Sequence, residues 1–176
     1  MGESGRNIYI FTAAFNPFLM NTYTGEFECT LDAKGRLLIP AALLRQLPAF
    51  LRKNFIVNRS VFARCLVLFP MDAWNEITAD LGKLNRFSKK NDDFIRQFHN
   101  GAVQVDMDGN TRILLPKRLL DYAGVKKDVV LFASLNRVEI WSAKEYNRLT
   151  ASYNPKKFAA LAEEVMSQVH KSAGQP

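Results

Sequence analysis

Two short clusters, Asp32-x-x-x-Arg36 and Asp108-x-x-x-Arg112, hold the residues of this 176-residue chain best placed to do chemistry. Two repeat-related carboxylates are what an acid–base hydrolase would need. An arginine beside each one, however, keeps it ionised and makes it a poor proton donor at neutral pH. The guanidinium groups suit recognition better, because their planar forks match phosphate or the O6/N7 edge of guanine. Lys34 and Asn110 occupy the same place in the two clusters, and each adds a polar group. Walker-type, GxGxxG and HExxH patterns are absent, His99 and His170 stand alone, and no CxxC or His-rich spacing marks a metal site. The expectation is therefore no enzyme, no cofactor and no small-molecule substrate, but a binder of an anionic partner.

Both clusters sit in a repeat. Leu31-Asp32-Ala33-Lys34-Gly35-Arg36-Leu37-Leu38-Ile39-Pro40 returns as Met107-Asp108-Gly109-Asn110-Thr111-Arg112-Ile113-Leu114-Leu115-Pro116. Paired leucines follow each proline (Leu43-Leu44 and Leu119-Leu120), and Gly25 and Gly101 precede each block. Such self-similarity implies two copies of one supersecondary unit. Alternation over Tyr23 to Leu31 predicts a half-buried strand. Asp32 to Gly35 supplies turn chemistry, with Asp bonding its own downstream backbone and Gly tolerating positive φ. Arg36 to Ile39 resumes as a strand, so each copy reads as a hairpin that presents its polar groups at the tip.

A helix after Pro40 runs to Leu47, and strands follow at Phe55–Val57 and Cys65–Phe69. Helices are expected from Met71 to Leu84 and from Asp92 to Phe98. The second copy repeats the order: a strand over Ala102–Met107, a turn, Ile113–Leu115, and a helix ended by Gly124. Strands at Val129–Phe132 and Val138–Trp141 come next, then a helix capped by Ser142. A last helix opens at Asn154-Pro155 and carries an apolar stripe of Phe158, Leu161, Ala162, Val165, Met166 and Val169. Such a stripe usually faces a core, and a neighbouring subunit is the next choice.

With 48% hydrophobic and 11% aromatic residues the chain is globular, and units of this size gain burial by packing on one another or on other chains. The net charge of +7 permits nucleic acid as a partner. It is concentrated: from Asp32 to Asp72 no acidic residue interrupts Lys34, Arg36, Arg45, Arg52, Lys53, Arg59 and Arg64. Cys29 and Cys65 read as free, buried thiols. No apolar run is long enough to span a membrane. Residues 1–19 match no part of the repeat and are read as an extension outside the fold, with Met20 as the start of the repeat-bearing chain. The division expected is 1–19, a first module over 20–98 and a second over 99–176.

These residues resemble the MraZ family, tandem relatives of the AbrB-type swapped-hairpin domains. The likeness runs through Tyr23-Thr24-Gly25-Glu26-Phe27, the two DxxxR blocks, Cys65 to Pro70, Trp74 and Phe98 to Ala102. It implies an α+β, mainly β fold of two swapped-hairpin (double-split β-barrel) modules with flanking helices. It also implies a cytoplasmic, nucleoid-associated transcription regulator of the division and cell-wall gene cluster. Ring-shaped homo-oligomers would bind tandem boxes in double-stranded DNA. Lys34, Arg36, Asn110 and Arg112 are then the DNA-contacting residues, and Asp32, Gly35 and Asp108 shape the turns. The rival reading is a structural or protein-interaction ring without specific DNA binding. Two departures stand out. Thr111 replaces the family's usual Gly, so a positive φ there would strain the second loop; Ser60-Val61-Phe62 lengthens the approach to the Cys65 strand. The first loop is expected to be the stronger reader.

Overall fold

The structure, a computed structural model, describes residues 22–173; the extension at residues 1–19 and Met20 lie outside them. The chain divides into two compact units, the first ending at Ala143 and the second beginning at Lys144.

In the first unit, β1 (Tyr23–Thr30), β2 (Arg36–Leu38), α1 (Ala41–Leu44), β3 (Asn54–Arg59), β4 (Leu66–Pro70) and α2 (Met71–Gly82) make the first repeat, followed by α3 (Lys89–His99). The second repeat supplies β5 (Val103–Asp106), β6 (Arg112–Leu114), α4 (Lys117–Ala123), β7 (Asp128–Leu135) and β8 (Arg137–Ser142). The second unit holds most of α5 (Ala143–Ala151) and all of α6 (Pro155–Ala173). The mixture is α+β, with antiparallel pairing throughout.

The repeats exchange strands rather than closing on themselves. β1 pairs with β7 over eight positions, β5 pairs with β3, and β4 pairs with β8, giving one sheet in the order β1-β7-β8-β4-β3-β5. β2 and β6 pair only with each other, as a separate two-stranded ribbon. The local hairpin expected from the sequence is thus closed only at its turn. A single bridge, Leu31 to Leu37, joins β1 to its return strand, and Met107 to Ile113 does the same in the second copy. Swapping satisfies more backbone groups than two short isolated hairpins would, since a lone two-stranded pair is marginal in water. On β1's open edge, the Gln46 side-chain amide bonds both the N–H and the carbonyl of Thr24, at 2.8 and 2.9 Å.

Alternation assigns the strand faces. Phe55, Val57, Leu66 and Leu68 point into the main core with Leu37, Ile113, Leu131 and Ile140. Ile56, Val67 and Phe69 point the other way and meet Trp74, Leu81 and Phe98. β3 and β4 are covered on both faces, which is why their sequences are continuous apolar runs rather than alternating ones. Trp74 lies 5.6 Å from the Phe69 ring and 5.7 Å from that of Phe98. Asn58, almost fully buried, is satisfied by donating to the Phe98 carbonyl at 2.7 Å.

Several element ends differ from the periodicity reading. α1 stops at Leu44, although Gln46 and Leu47 continue as 3-10-type turns. α3 begins at Lys89, earlier than read, and is laced by Arg86, Lys89 and Arg96 to Asp92 and Asp93. Gly124 ends α4 in the left-handed conformation, as expected (φ 65°). α6 opens where read, with Asn154 Oδ1 accepting from Lys156 N–H at 2.9 Å. Its stripe is not core: Phe158, Leu161, Val165 and Met166 are exposed, and the side chain of Val169 lies outside the described residues. Cys65 is a buried free thiol, pushed up to about 12 by burial, while Cys29 is free and half-buried.

Candidate nucleic-acid interface

The two DxxxR loops are built alike, bond for bond. Asp32 Oδ1 accepts from the backbone N–H groups of Lys34 and Arg36, both at 2.9 Å, and Asp108 Oδ1 accepts from those of Asn110 and Arg112, at 2.8 and 3.0 Å. The Gly35 N–H reaches the Asp32 carbonyl at 2.9 Å, and the Thr111 N–H reaches that of Asp108 at 3.0 Å. These bonds to the charged form hold both carboxyls below the usual carboxylate range. The Arg36 and Arg112 backbone N–H groups come first among the causes. Asp32 and Asp108 therefore remain acceptors, each spent on its own loop, and the paired-carboxylate hydrolase loses its acid.

Each arginine completes its loop. Arg36 Nε donates to Asp32 Oδ2 at 2.6 Å and Arg112 Nε to Asp108 Oδ2 at 3.0 Å, with Arg112 Nη2 lying 2.9 Å from the same oxygen. In both loops the Nε–H donates to the aspartate Oδ2, which leaves further guanidinium N–H donors in each arginine. The arginines do not stand free in solvent: their side chains are about 30% exposed, fixed beside a carboxylate. Lys34 and Asn110 are exposed at the loop tips.

The loops differ at one backbone position. Gly35 has φ 79° and Thr111 has φ 58°. The positive φ anticipated for the second loop is present, and a β-branched residue carries it.

The ribbon fixes how the loops are presented. Arg36 lies opposite Leu114, Leu37 opposite Ile113, and Leu38 opposite Arg112. Residues directly opposite in an antiparallel pair share a face. Leu37 and Ile113, at 0% exposure, form the inner face, and Arg36, Leu38, Arg112 and Leu114 form the outer one. Gly35 and Thr111 clamp the ribbon's ends, their carbonyls accepting from Leu115 and Ile39 N–H at 3.1 and 2.9 Å.

That clamp brings together residues the sequence reading kept apart. Loop 1 abuts the segment leading into α4, where Gly35 also faces Leu120. The first turn of α4 carries exposed Lys117 and Arg118, where the first repeat has Ala41 and Ala42 at the start of α1. Lys117 and Arg118, from the second repeat, thus lie two and three residues beyond the Leu115 N–H that bonds loop 1, a link that the exchanged pairing reveals. The exposed Leu38 and Leu114 were also missed, hidden inside apolar runs. Among the described residues no cluster of His, Cys, Asp or Glu has metal-binding geometry, and no helix is long and apolar enough to cross a membrane.

The profile of the family described as "MraZ protein, putative antitoxin-like" matches residues 22–97 and again 98–168. Curated relatives named transcriptional regulator MraZ align over most of the chain. The relative from Christiangramia forsetii is 46% identical over 142 residues, covering 81% of this chain and 91% of its own. That from Flavobacterium psychrophilum is 44% identical over 151 residues, covering 86% and 96%. That from Pediococcus pentosaceus is 36% identical over 144 residues, covering 82% and 96%.

Proposed function

The chain belongs to the MraZ family, and from that membership and the ribbon's outer face we propose that it is a sequence-specific, DNA-binding transcription regulator. It acts in the cytoplasm, associated with the nucleoid, on the division and cell-wall gene cluster. A ring of subunits engages tandem boxes in the promoter, without a cofactor or a small-molecule substrate. The exposed stripe of α6 is a candidate contact between neighbouring subunits in that ring.

The observation that carries this reading is the ribbon. A two-stranded antiparallel ribbon fits the major groove. Here its outer face bears two arginines, each set in angle by an aspartate that also shapes the loop. A guanidinium oriented this way loses less side-chain freedom on binding than a free one, and its remaining N–H groups are donors for phosphate or for guanine O6/N7. Lys34 and Asn110 extend the two tips, and Lys117 and Arg118 add positive charge near the first. Loop 1 is the stronger reader, because Lys34 carries a charge where Asn110 does not and Gly35 takes the left-handed turn position that strains Thr111.

Arg36→Ala, measured against DNA taken from just upstream of the protein's own gene, is expected to weaken specific binding by ~1–3 kcal/mol per ribbon, compounding across the ring. The oligomer should keep its solution mass. Arg112→Ala should cost less. Unchanged affinity in Arg36→Ala would remove loop 1 as the reader, and equal affinity of the natural protein for promoter and scrambled duplex would favour the protein-interaction ring.

A further inference from the structure

The outer face of the β2–β6 ribbon has an apolar centre that the DxxxR loops do not explain. Leu38 is 53% exposed and Leu114 56%, while their chain neighbours Leu37 and Ile113 are at 0%. The exposure does not come from a frayed end, since the ribbon is bonded beyond both strands, at Ile39 to Thr111 and at Leu115 to Gly35. Folding gains little from leucine at a solvent-facing strand position, where threonine or a charged residue serves as well. Each leucine sits directly across from an arginine, Leu38 from Arg112 and Leu114 from Arg36. Whatever covers this face must therefore offer apolar groups and negative charge a few ångströms apart.

The major groove does so. Phosphates line its walls, and the thymine C5-methyl is the one apolar group on its floor. A second copy of this chain laid on the same face would bring two more arginines and, among the ribbon's outward residues, no negative charge. We infer that Leu38 and Leu114 are specificity-determining residues that pack on thymine methyls beside the groups taken by Arg36 and Arg112. This rests on the DNA reading above and adds to it which bases are preferred. Leu38 and Leu114 are diagonal neighbours on the ribbon, roughly 7 Å apart at Cβ. With about 3.4 Å per base step, the two methyls should lie roughly two steps apart.

Deoxyuridine tests this, because it removes the methyl and leaves every hydrogen-bonding group in place. The thymines of the duplex from upstream of the gene are replaced one at a time, and each duplex is titrated with the natural protein and with Leu38→Ala/Leu114→Ala. The natural protein should lose about fourfold in affinity at one or two thymines, the worth of one methyl-sized group buried. The double variant should bind the unmodified duplex about tenfold more weakly, show no further loss on any deoxyuridine duplex, and keep the natural solution mass. Three results would overturn the inference while leaving the DNA reading intact: a natural protein that prefers the promoter yet ignores every missing methyl, a double variant that stays sensitive to them, or a double variant whose oligomer shrinks. A natural protein without preference for promoter over scrambled duplex overturns both together.

Discussion

Thr111 shows how far one residue can depart from a pattern while its loop keeps its shape. Every backbone bond of loop 1 has its counterpart in loop 2, yet the left-handed position is held by glycine in one and by threonine in the other. A β-branched residue at φ 58° costs of order 1–3 kcal/mol, retained because the Asp108 and Arg112 bonds over-determine the turn. Thr111→Gly should therefore stabilise the fold by about 1 kcal/mol, after allowing for the extra freedom glycine gives the unfolded chain. That raises the melting temperature by roughly 2–4 °C for a chain of this size. Gly35→Thr should shift it the other way: a Cβ at Gly35 finds only ordinary contacts, so φ alone is the penalty. A calorimetric scan of both variants checks the pair, and a Thr111→Gly protein that melts lower would show that the loop is not strained. The Asp and Arg roles were legible in the sequence because turn chemistry is local: an aspartate two and four residues before the N–H groups it binds can be read off a string. Which leucine of Leu37-Leu38 faces outward cannot be, since both are apolar and the strand is too short to show a period.

At the scale of elements, strand exchange decides most of what positions the site. The alternation of Tyr23 to Leu31 and the return strand after the turn were readable, and both strands exist. Their exchange was implied by the family resemblance and not by the residue pattern, because a hairpin that closes on itself and one that trades strands with a second copy have the same local pattern, and register against a distant strand leaves no mark in one sequence. The repeat was the clue that a second copy was at hand. The α6 stripe was legible as amphipathic helix but not as exposed, since periodicity reports a face and not what covers it. The ribbon's two faces give the element-scale prediction. Leu37→Ala empties a site at 0% exposure that anchors the ribbon to the main core, and should cost ~2–5 kcal/mol in denaturant unfolding. Leu38→Ala, next in the chain and 53% exposed, should stay within about 0.5 kcal/mol. Equal losses at the two positions would mean the ribbon does not present the faces described.

For the whole molecule, the net charge of +7 matters through where it falls and how often it is repeated. A single ribbon offers few cations: Arg36, Arg112 and Lys34, with Lys117 and Arg118 close by in the chain that clamps loop 1. Binding that neutralises a handful of phosphates loses about 0.9 log units of affinity per log unit of salt for each one, so one ribbon on one box should be weak at physiological ionic strength. Several ribbons carried on the proposed ring would change that, because the second contact would be made at an effective concentration set by the ring rather than by the solution. The discriminating measurement uses two duplexes of equal length, one with two tandem boxes and one with a single box beside scrambled sequence, each titrated across a salt series. If ribbons on one assembly engage boxes together, the two-box duplex should bind ~10²–10⁴ more tightly and its salt slope should be about twice as steep. Charge attraction alone depends on duplex length, which is the same in both, so coincident affinities and slopes would mean that the ribbons act singly.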